Sequence, residues 1–132
     1  MLHHISFGVS NIERSAAFYD AALAPLGYAR VWEDIRPGQA DQAIGYGIPG
    51  GGDKLAIKFC PKGQRPPGPG FHLAFASASR LAVIDFYEAA IAHGGVDNGR
   101  PDLRPHYGPN YFAAFVVDPD GHHIEAVYNS PD

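Results

Sequence analysis

The sequence contains one segment twice, and this repeat limits the folds open to the chain more than any other feature. HHISFGVSNIERSAAFYDAALAPLG begins at His3, and FHLAFASASRLAVIDFYEAAIAHGG begins at Phe71, an offset of 68 residues (71 minus 3) without a gap. The matching residues include His4 and His72, Phe18 and Phe86, Tyr19 and Tyr87, and Gly27 and Gly95. We therefore expect a single domain of two modules with one fold, residues 1–61 and 69–132, joined by the proline- and glycine-rich linker 62–68.

Within each copy the apolar residues first alternate at strand spacing and then recur at helical spacing. In the first copy Ile5, Phe7 and Val9 form the alternating set, and Ser10 with Glu13 has the spacing of a capping box at a helix start. Further strand-like segments follow: YARVWED, DQAIGYGI and LAIKF in the first copy, and a weak one near 96–100, NYFAAFVVD and HHIEAVY in the second. The predicted class is α+β: two βαβββ modules forming a curved eight-stranded mixed sheet with a concave cleft and with helices on the outer face.

Ionisable residues lie on the strand face opposite the apolar one. Strand alternation groups these residues there: His4, Ser6 and Gly8; Ala56, Lys58 and Cys60; His72, Ala74 and Ala76; His123, Glu125 and Val127. Two imidazoles and a carboxylate are the ligands that zinc, nickel or non-haem iron uses. The pattern predicts a divalent metal (Zn, Ni, Fe or Mn) held by His4, His72 and Glu125.

Lys58 is a charged residue within an otherwise apolar strand. The triplet Ile57-Lys58-Phe59 aligns with Ile124-Glu125-Ala126, so we expect Lys58 to face the same cleft and to pair with Glu125. An ammonium group at the centre of the ligands would repel a divalent cation, and in this alternative no metal binds. Lys58 could instead bind an anionic group of the substrate from the mouth of the cleft.

Polar and aromatic residues collect just before the strand NYFAAFVVD. The segment RPHYGPNYF supplies hydroxyl, imidazole, amide and guanidinium groups of the kind that orient a bound small molecule. The predicted substrate-binding residues are Arg104, His106, Tyr107, Asn110 and Tyr111.

The remaining aromatic residues, two further histidines and the cysteine are not predicted to act in the reaction. Trp32, Tyr46, Phe59 and Phe112 are predicted to be core or pocket-wall residues. His122 is expected to point with Ile124 and to be exposed near the DPDG turn. His123 shares the face of Glu125 without being a ligand, and Cys60 lacks a neighbouring base that would make it a nucleophile.

Composition excludes several classes of partner. The net charge is −4 and no basic run occurs, which argues against nucleic acid. No apolar run approaches the roughly 20 residues of a membrane span, and the first residues do not resemble a signal peptide. With one cysteine, no disulfide can form within the chain, so we expect a cytoplasmic protein. The expected partner is a small molecule.

The chain resembles the vicinal oxygen chelate superfamily, which includes glyoxalase I, extradiol dioxygenases, fosfomycin-resistance enzymes and bleomycin-binding proteins. The segments that carry the resemblance are HHISFGVSNIERSAAFYDAALAPLGY, GFHLAFAS and FVVDPDGHHIEAVY, and together they cover nearly the whole chain. The resemblance implies a homodimer. It also implies metal ligands at the first and last strands of each module, at His4, His72 and Glu125, with Lys58 where glyoxalase I has a second glutamate.

These expectations favour a glyoxalase-like lyase or isomerase acting on a small oxygenated metabolite. Its predicted catalytic residues are Glu125, as proton acceptor, and Lys58, which in a metal-free lyase would act as base or electrostatic stabiliser. One alternative is a drug- or metabolite-binding protein of the bleomycin-resistance type, with a Lys58–Glu125 pair in place of the metal. Another is a dioxygenase with a site of two histidines and one carboxylate.

Overall fold

Each half of the chain begins with a strand and a helix and continues with further strands. The computed structural model describes residues 1–62 and 67–131. The first half contains β1 (Ile5–Val9), α1 (Ile12–Leu23), a short 3₁₀ turn (Ala24–Leu26), β2 (Ala29–Asp34), β3 (Ala43–Gly47) and β4 (Leu55–Phe59). The second contains β5 (Leu73–Ala76), α2 (Arg80–Ala92), β6 (Val96–Asp97), β7 (Asp102–Leu103), β8 (Tyr111–Val117) and β9 (His123–Asn129). Of the predicted linker 62–68, residues 63–66 lie outside the described part of the chain.

The strands form two sheets of the same design. The first sheet has the order β1-β4-β3-β2, and the second has the order β5-β9-β8-β6 with β7 also paired to β8. In both, the first strand of the half pairs in parallel with the last, and the other pairings are antiparallel. The mixed α+β class is confirmed. The single eight-stranded sheet is not, because among the described residues the strand hydrogen bonds stop at β1 and at β5, which are edge strands of separate sheets.

Both helices start at a side chain that caps their free backbone amides. Asn11 Oδ1 accepts a hydrogen bond from the Arg14 amide at 3.0 Å, and Ser79 Oγ accepts one from the Ala82 amide at 3.1 Å. Ser10, predicted as the cap of α1, instead donates from Oγ to Asp120 at 2.5 Å. The first helix therefore begins one residue later than the capping-box pattern predicts.

The two sheets and the two helices share one hydrophobic core. Side chains from α1, α2 and six of the strands form a single buried cluster. Its largest fully buried apolar members are Phe18, Tyr19, Tyr46 and Phe86. Burial of an aliphatic or phenyl side chain of this kind stabilises the fold by roughly 1.5–3 kcal/mol. The opposite side of each sheet, here called its open face, carries the ionisable residues.

The turn between β8 and β9 joins the second half to the first. Tyr19 on α1 donates a hydrogen bond to Asp118 at 2.6 Å, and both side chains are buried. His122 is 1% exposed, stacks on Phe7 with ring centroids 4.1 Å apart, and has Nε2 2.8 Å from the carbonyl oxygen of Gly8. The prediction that His122 is exposed is wrong, because the end of β1 covers it. None of the helices described here is long and apolar enough to cross a membrane.

Replacement of Tyr19 by phenylalanine should destabilise the fold. The substitution leaves one oxygen of the buried Asp118 carboxylate without its donor, which costs about 1–3 kcal/mol in free energy of unfolding. Urea denaturation measures this loss. Tyr28→Phe is the control, since no described residue hydrogen-bonds to that hydroxyl, and it should change stability by less than about 0.5 kcal/mol. Equal losses in the two variants would contradict a specific contribution from the Tyr19–Asp118 bond.

Candidate active site

Glu125 is a buried carboxylate on the open face of the second sheet. It is 1% exposed, and both of its oxygens have partners. Oε1 lies 3.0 Å from His72 Nε2, and Oε2 accepts a hydrogen bond from the Tyr111 hydroxyl at 2.5 Å. A buried carboxylate is costly unless it is paired in this way, so these contacts account for a charged residue in the middle of a strand.

The parallel pairing of β5 with β9 brings His72 and Glu125 together. In this register Ala74 is opposite Glu125, and the preceding residue on the same face of the chain is His72. The small side chain of Ala74 leaves room for the imidazole to reach the carboxylate. On the other side of Glu125, β8 places Phe115 directly opposite, and the Phe115 and His72 ring centroids are 6.4 Å apart.

Tyr111 is a neutral hydrogen-bond donor over a wide pH range. Burial, followed by the hydrogen bond to Glu125 and the negative charge of Glu125, raises the pKa of Tyr111 to about 12. At neutral pH the phenol therefore keeps its proton and fixes the orientation of the carboxylate.

Aromatic side chains continue from Tyr111 toward the surface. The rings of Tyr107 and Tyr111 have centroids 5.2 Å apart, and those of His106 and Tyr107 are 4.1 Å apart. A cavity of about 190 Å³ lies beside this group. Its lining includes His72, Asn98, Tyr107, Phe115 and His123. A wider cavity of about 470 Å³ lies at the start of α1, and Glu13 is the one charged residue in its lining, so we place the chemistry at Glu125.

The other residues of the predicted substrate-binding set have different surroundings. Arg104 lies with its guanidinium carbon 5.2 Å from the centre of the Phe115 ring and donates to the carbonyl oxygens of Arg100 and, at 3.3 Å, Ala113. These contacts hold the guanidinium group against the Phe115 ring. Asn110 is partly buried next to Tyr111 at the start of β8. Sequence reasoning missed Phe115 and Asn98, although strand alternation would have put Phe115 on the face of Glu125.

His4 does not join the other two predicted ligands within one chain. Its side chain is exposed, with Nδ1 2.8 Å from Nδ1 of His3. Among residues 1–62 and 67–131, no three histidine, cysteine, aspartate or glutamate side chains lie close enough to hold a metal ion together. The structure therefore brings together His72 and Glu125 and leaves His4 apart on the first sheet.

Lys58 does not pair with Glu125. It is exposed on β4, and in the described part of the chain no carboxylate oxygen lies within 4.0 Å of its ammonium group. The strand register gives the reason. Ser6 is opposite Ala56, whereas Ala74, the repeat counterpart of Ser6, is opposite Glu125. The structural counterpart of Glu125 is Ala56, two residues before Lys58.

The donor set around Glu125 fits part of a metal site. An imidazole nitrogen and a carboxylate oxygen are both ligands of divalent transition metals, and here they converge to 3.0 Å. The side chain of His72 is 48% exposed, so the pair is accessible from the open face. A closed site would need at least one further donor from outside the described chain.

Comparison with known proteins reveals one family and several similar structures. The model of the glyoxalase/bleomycin resistance protein/dioxygenase superfamily matches residues 1–126. A glyoxalase/bleomycin resistance protein from Albidiferax ferrireducens is 30% identical, with a TM-score of 0.77 and with 98% of this chain and 99% of that chain covered. A glyoxalase-related enzyme from Fulvimarina pelagi is 27% identical, with a TM-score of 0.72 and with 98% and 88% covered. No curated protein matches the sequence.

The pKa of Tyr111 should make stability depend on pH in the alkaline range. The folded-state pKa of about 12 lies above the ordinary value of about 10, so the stabilisation is complete below about pH 10. It is lost as the pH rises from about 10 to 12. The difference in free energy of unfolding between wild type and Tyr111→Phe should therefore shrink over this interval in urea titrations.

Glu125→Gln separates the effect of burial on the Tyr111 pKa from the effect of the Glu125 carboxylate. Removal of the negative charge should lower the Tyr111 pKa, measured by ultraviolet difference titration against Tyr111→Phe, while burial keeps it above the ordinary value. An unchanged pKa in Glu125→Gln would mean that the carboxylate does not act on the phenol.

Proposed function

Because the chain belongs to the glyoxalase/bleomycin resistance protein/dioxygenase superfamily, we propose that it is a glyoxalase-like enzyme of the lyase or isomerase type. It acts on a small oxygenated metabolite through a divalent metal bound by His72 and Glu125. The observation that carries the proposal is the contact of 3.0 Å between the buried Glu125 carboxylate and the half-exposed His72 imidazole. A purely structural ion pair would not require an imidazole open to solvent.

The third ligand in this proposal is His4 of a second copy of the chain. His4 is the repeat counterpart of His72, and it is exposed on the open face of the first sheet. In a twofold homodimer the first sheet of each copy would cover the second sheet of the other, so that two equal sites form. Ala56, the counterpart of Glu125, offers no donor, and its small side chain leaves a coordination position for substrate.

The side chains around the site have distinct roles in the proposed reaction. A bound metal would supply Lewis-acid polarisation of the two neighbouring oxygens of the substrate. Glu125 accepts a proton at a carboxylate oxygen, and Tyr111 keeps that carboxylate in one orientation through its hydrogen bond. His106 and Tyr107 orient the substrate at the rim. Lys58, exposed on the first sheet, attracts an anionic group of the substrate.

Two observations favour other functions of the same site. A set of two histidines and one carboxylate with open coordination positions is typical of non-haem iron oxygenases, so oxygenase chemistry is the second candidate. The presence of only two donors among the described residues favours a metal-free binding protein of the bleomycin-resistance kind. Metal content and oxygen uptake in the presence of ferrous iron distinguish the three functions.

Metal analysis tests the proposal directly. Protein purified without chelator and dialysed against zinc or manganese should bind one metal ion per chain, and His72→Ala or Glu125→Gln should weaken binding by at least tenfold. His93→Ala is the matched control, because His93 is an exposed histidine at the end of α2 and should leave binding unchanged. If wild type binds no more metal than the two site variants, the metal-dependent function is wrong.

A mixing experiment tests the shared site. His4→Ala and Glu125→Gln each destroy both sites of their own homodimer. In a heterodimer of the two variants, one site regains all three ligands. Unfolding and refolding of an equal mixture gives heterodimers in half of the molecules, so about a quarter of the wild-type metal binding should return. No recovery in the mixture would place all ligands within one chain or exclude His4.

A further inference from the structure

Trp32 lies on the open face of the first sheet because a bulge in β2 turns it there. Arg30 is opposite Tyr46 on β3, but Trp32, two residues later, is opposite Gly45, the next residue of the partner strand. One extra residue in β2 therefore reverses the direction of the side chains that follow. With regular pairing, Trp32 would be opposite Ile44 and would point to the core side.

Glycine at position 45 makes room for the indole. A Cβ atom on Gly45 would overlap Nε1 and Cε2 of Trp32 and lie 2.8 Å from Cδ1. The indole thus occupies the space that the side chain of any other residue at position 45 would fill. One part of the ring contacts the backbone of β3. The Trp32 side chain remains 40% exposed, and in the described part of the chain no group accepts a hydrogen bond from its N–H.

A row of small residues connects Trp32 to the first strand. Across the sheet, Trp32 is opposite Gly45, Gly45 is opposite Ala56, and Ala56 is opposite Ser6. Three strand spacings separate the two ends of this row, about 14 Å in all. The indole covers Gly45 on β3, Ala56 on β4 is 2% exposed, and Ser6 at the far end of the row is exposed.

We infer that Trp32 is a specificity-determining residue, a fixed aromatic wall against which the flat, conjugated part of a substrate lies. The inference rests on the proposed function, because the oxygens of that substrate would bind at His4, His72 and Glu125. Such a substrate would carry its two neighbouring oxygens at the end that faces away from the indole. Phe115 and Tyr107 on the second sheet add further aromatic surface near Glu125.

Two hydroxy acids, each able to chelate one metal ion through a hydroxyl oxygen and a carboxylate oxygen, test the inference. 3-Hydroxy-2-naphthoate carries two fused aromatic rings, and lactate carries none. Isothermal titration of each into zinc-loaded protein should show that Trp32→Leu weakens hydroxynaphthoate binding about three- to tenfold and leaves lactate binding unchanged. Trp32→Phe should restore most of the lost affinity, because it keeps an aromatic ring.

Fluorescence provides a second measurement, since Trp32 is the only tryptophan in the chain. Hydroxynaphthoate should protect its emission from acrylamide quenching, and lactate should not. Gly45→Ala, which keeps the indole but displaces it, should weaken hydroxynaphthoate binding as Trp32→Leu does. Unfolding in urea identifies any variant whose fold is damaged.

The outcomes separate this inference from the proposed function. Zinc binding measured without any organic ligand reports on His72 and Glu125 and should be the same in wild type and Trp32→Leu. The inference is overturned if wild type does not bind hydroxynaphthoate, or if Trp32→Leu binds it as tightly as wild type. It is also overturned if lactate binding falls by the same factor. If the wild-type protein does not bind zinc at all, the proposed function is overturned instead.

Discussion

The parallel pairing of the first and last strands in each half determines which side chains can act together. In the second half this pairing sets Ala74 opposite Glu125 and so brings His72 to the carboxylate. A shift of one residue would turn Glu125 toward the core, where its charge would have no partner. In the first half the same pairing sets Ser6 opposite Ala56. The two halves thus share a backbone design, and only the second carries a carboxylate at the central position.

The joint between the halves depends on buried polar contacts as well as on the shared core. Asp118 accepts hydrogen bonds from the Tyr19 hydroxyl and from the amides of Asp120 and His122. The turn before β9 is therefore held to α1 of the other half. His122 in this turn lies only three residues before Glu125. Rigidity at this turn keeps β9 in register and fixes the position of the site.

Much of the fold could be predicted from the sequence, because a repeat gives the same pattern twice and strand alternation is a reliable consequence of backbone geometry. The same alternation placed His72 and Glu125 on one face. It placed Lys58 on the open face but gave it the wrong partner, because the loops of the two halves differ in length and an alignment of three residues does not reveal a register. Nor could it reveal the contact of Tyr111 with Glu125, which depends on the pairing of β8 with β9. The exposure of His122 was predicted wrongly because the residues that bury it belong to β1, which is distant in the sequence.

The bulge in β2 was also beyond prediction, since a single extra residue leaves the composition of a strand unchanged. Its consequence reaches beyond one molecule. The indole at position 32 and the absence of a side chain at position 45 fill one volume between them. Among related sequences these two positions should therefore change together: a larger residue at 45 should accompany a smaller one at 32. Such paired replacement would reshape the floor of the first sheet while leaving the imidazoles and the carboxylate untouched.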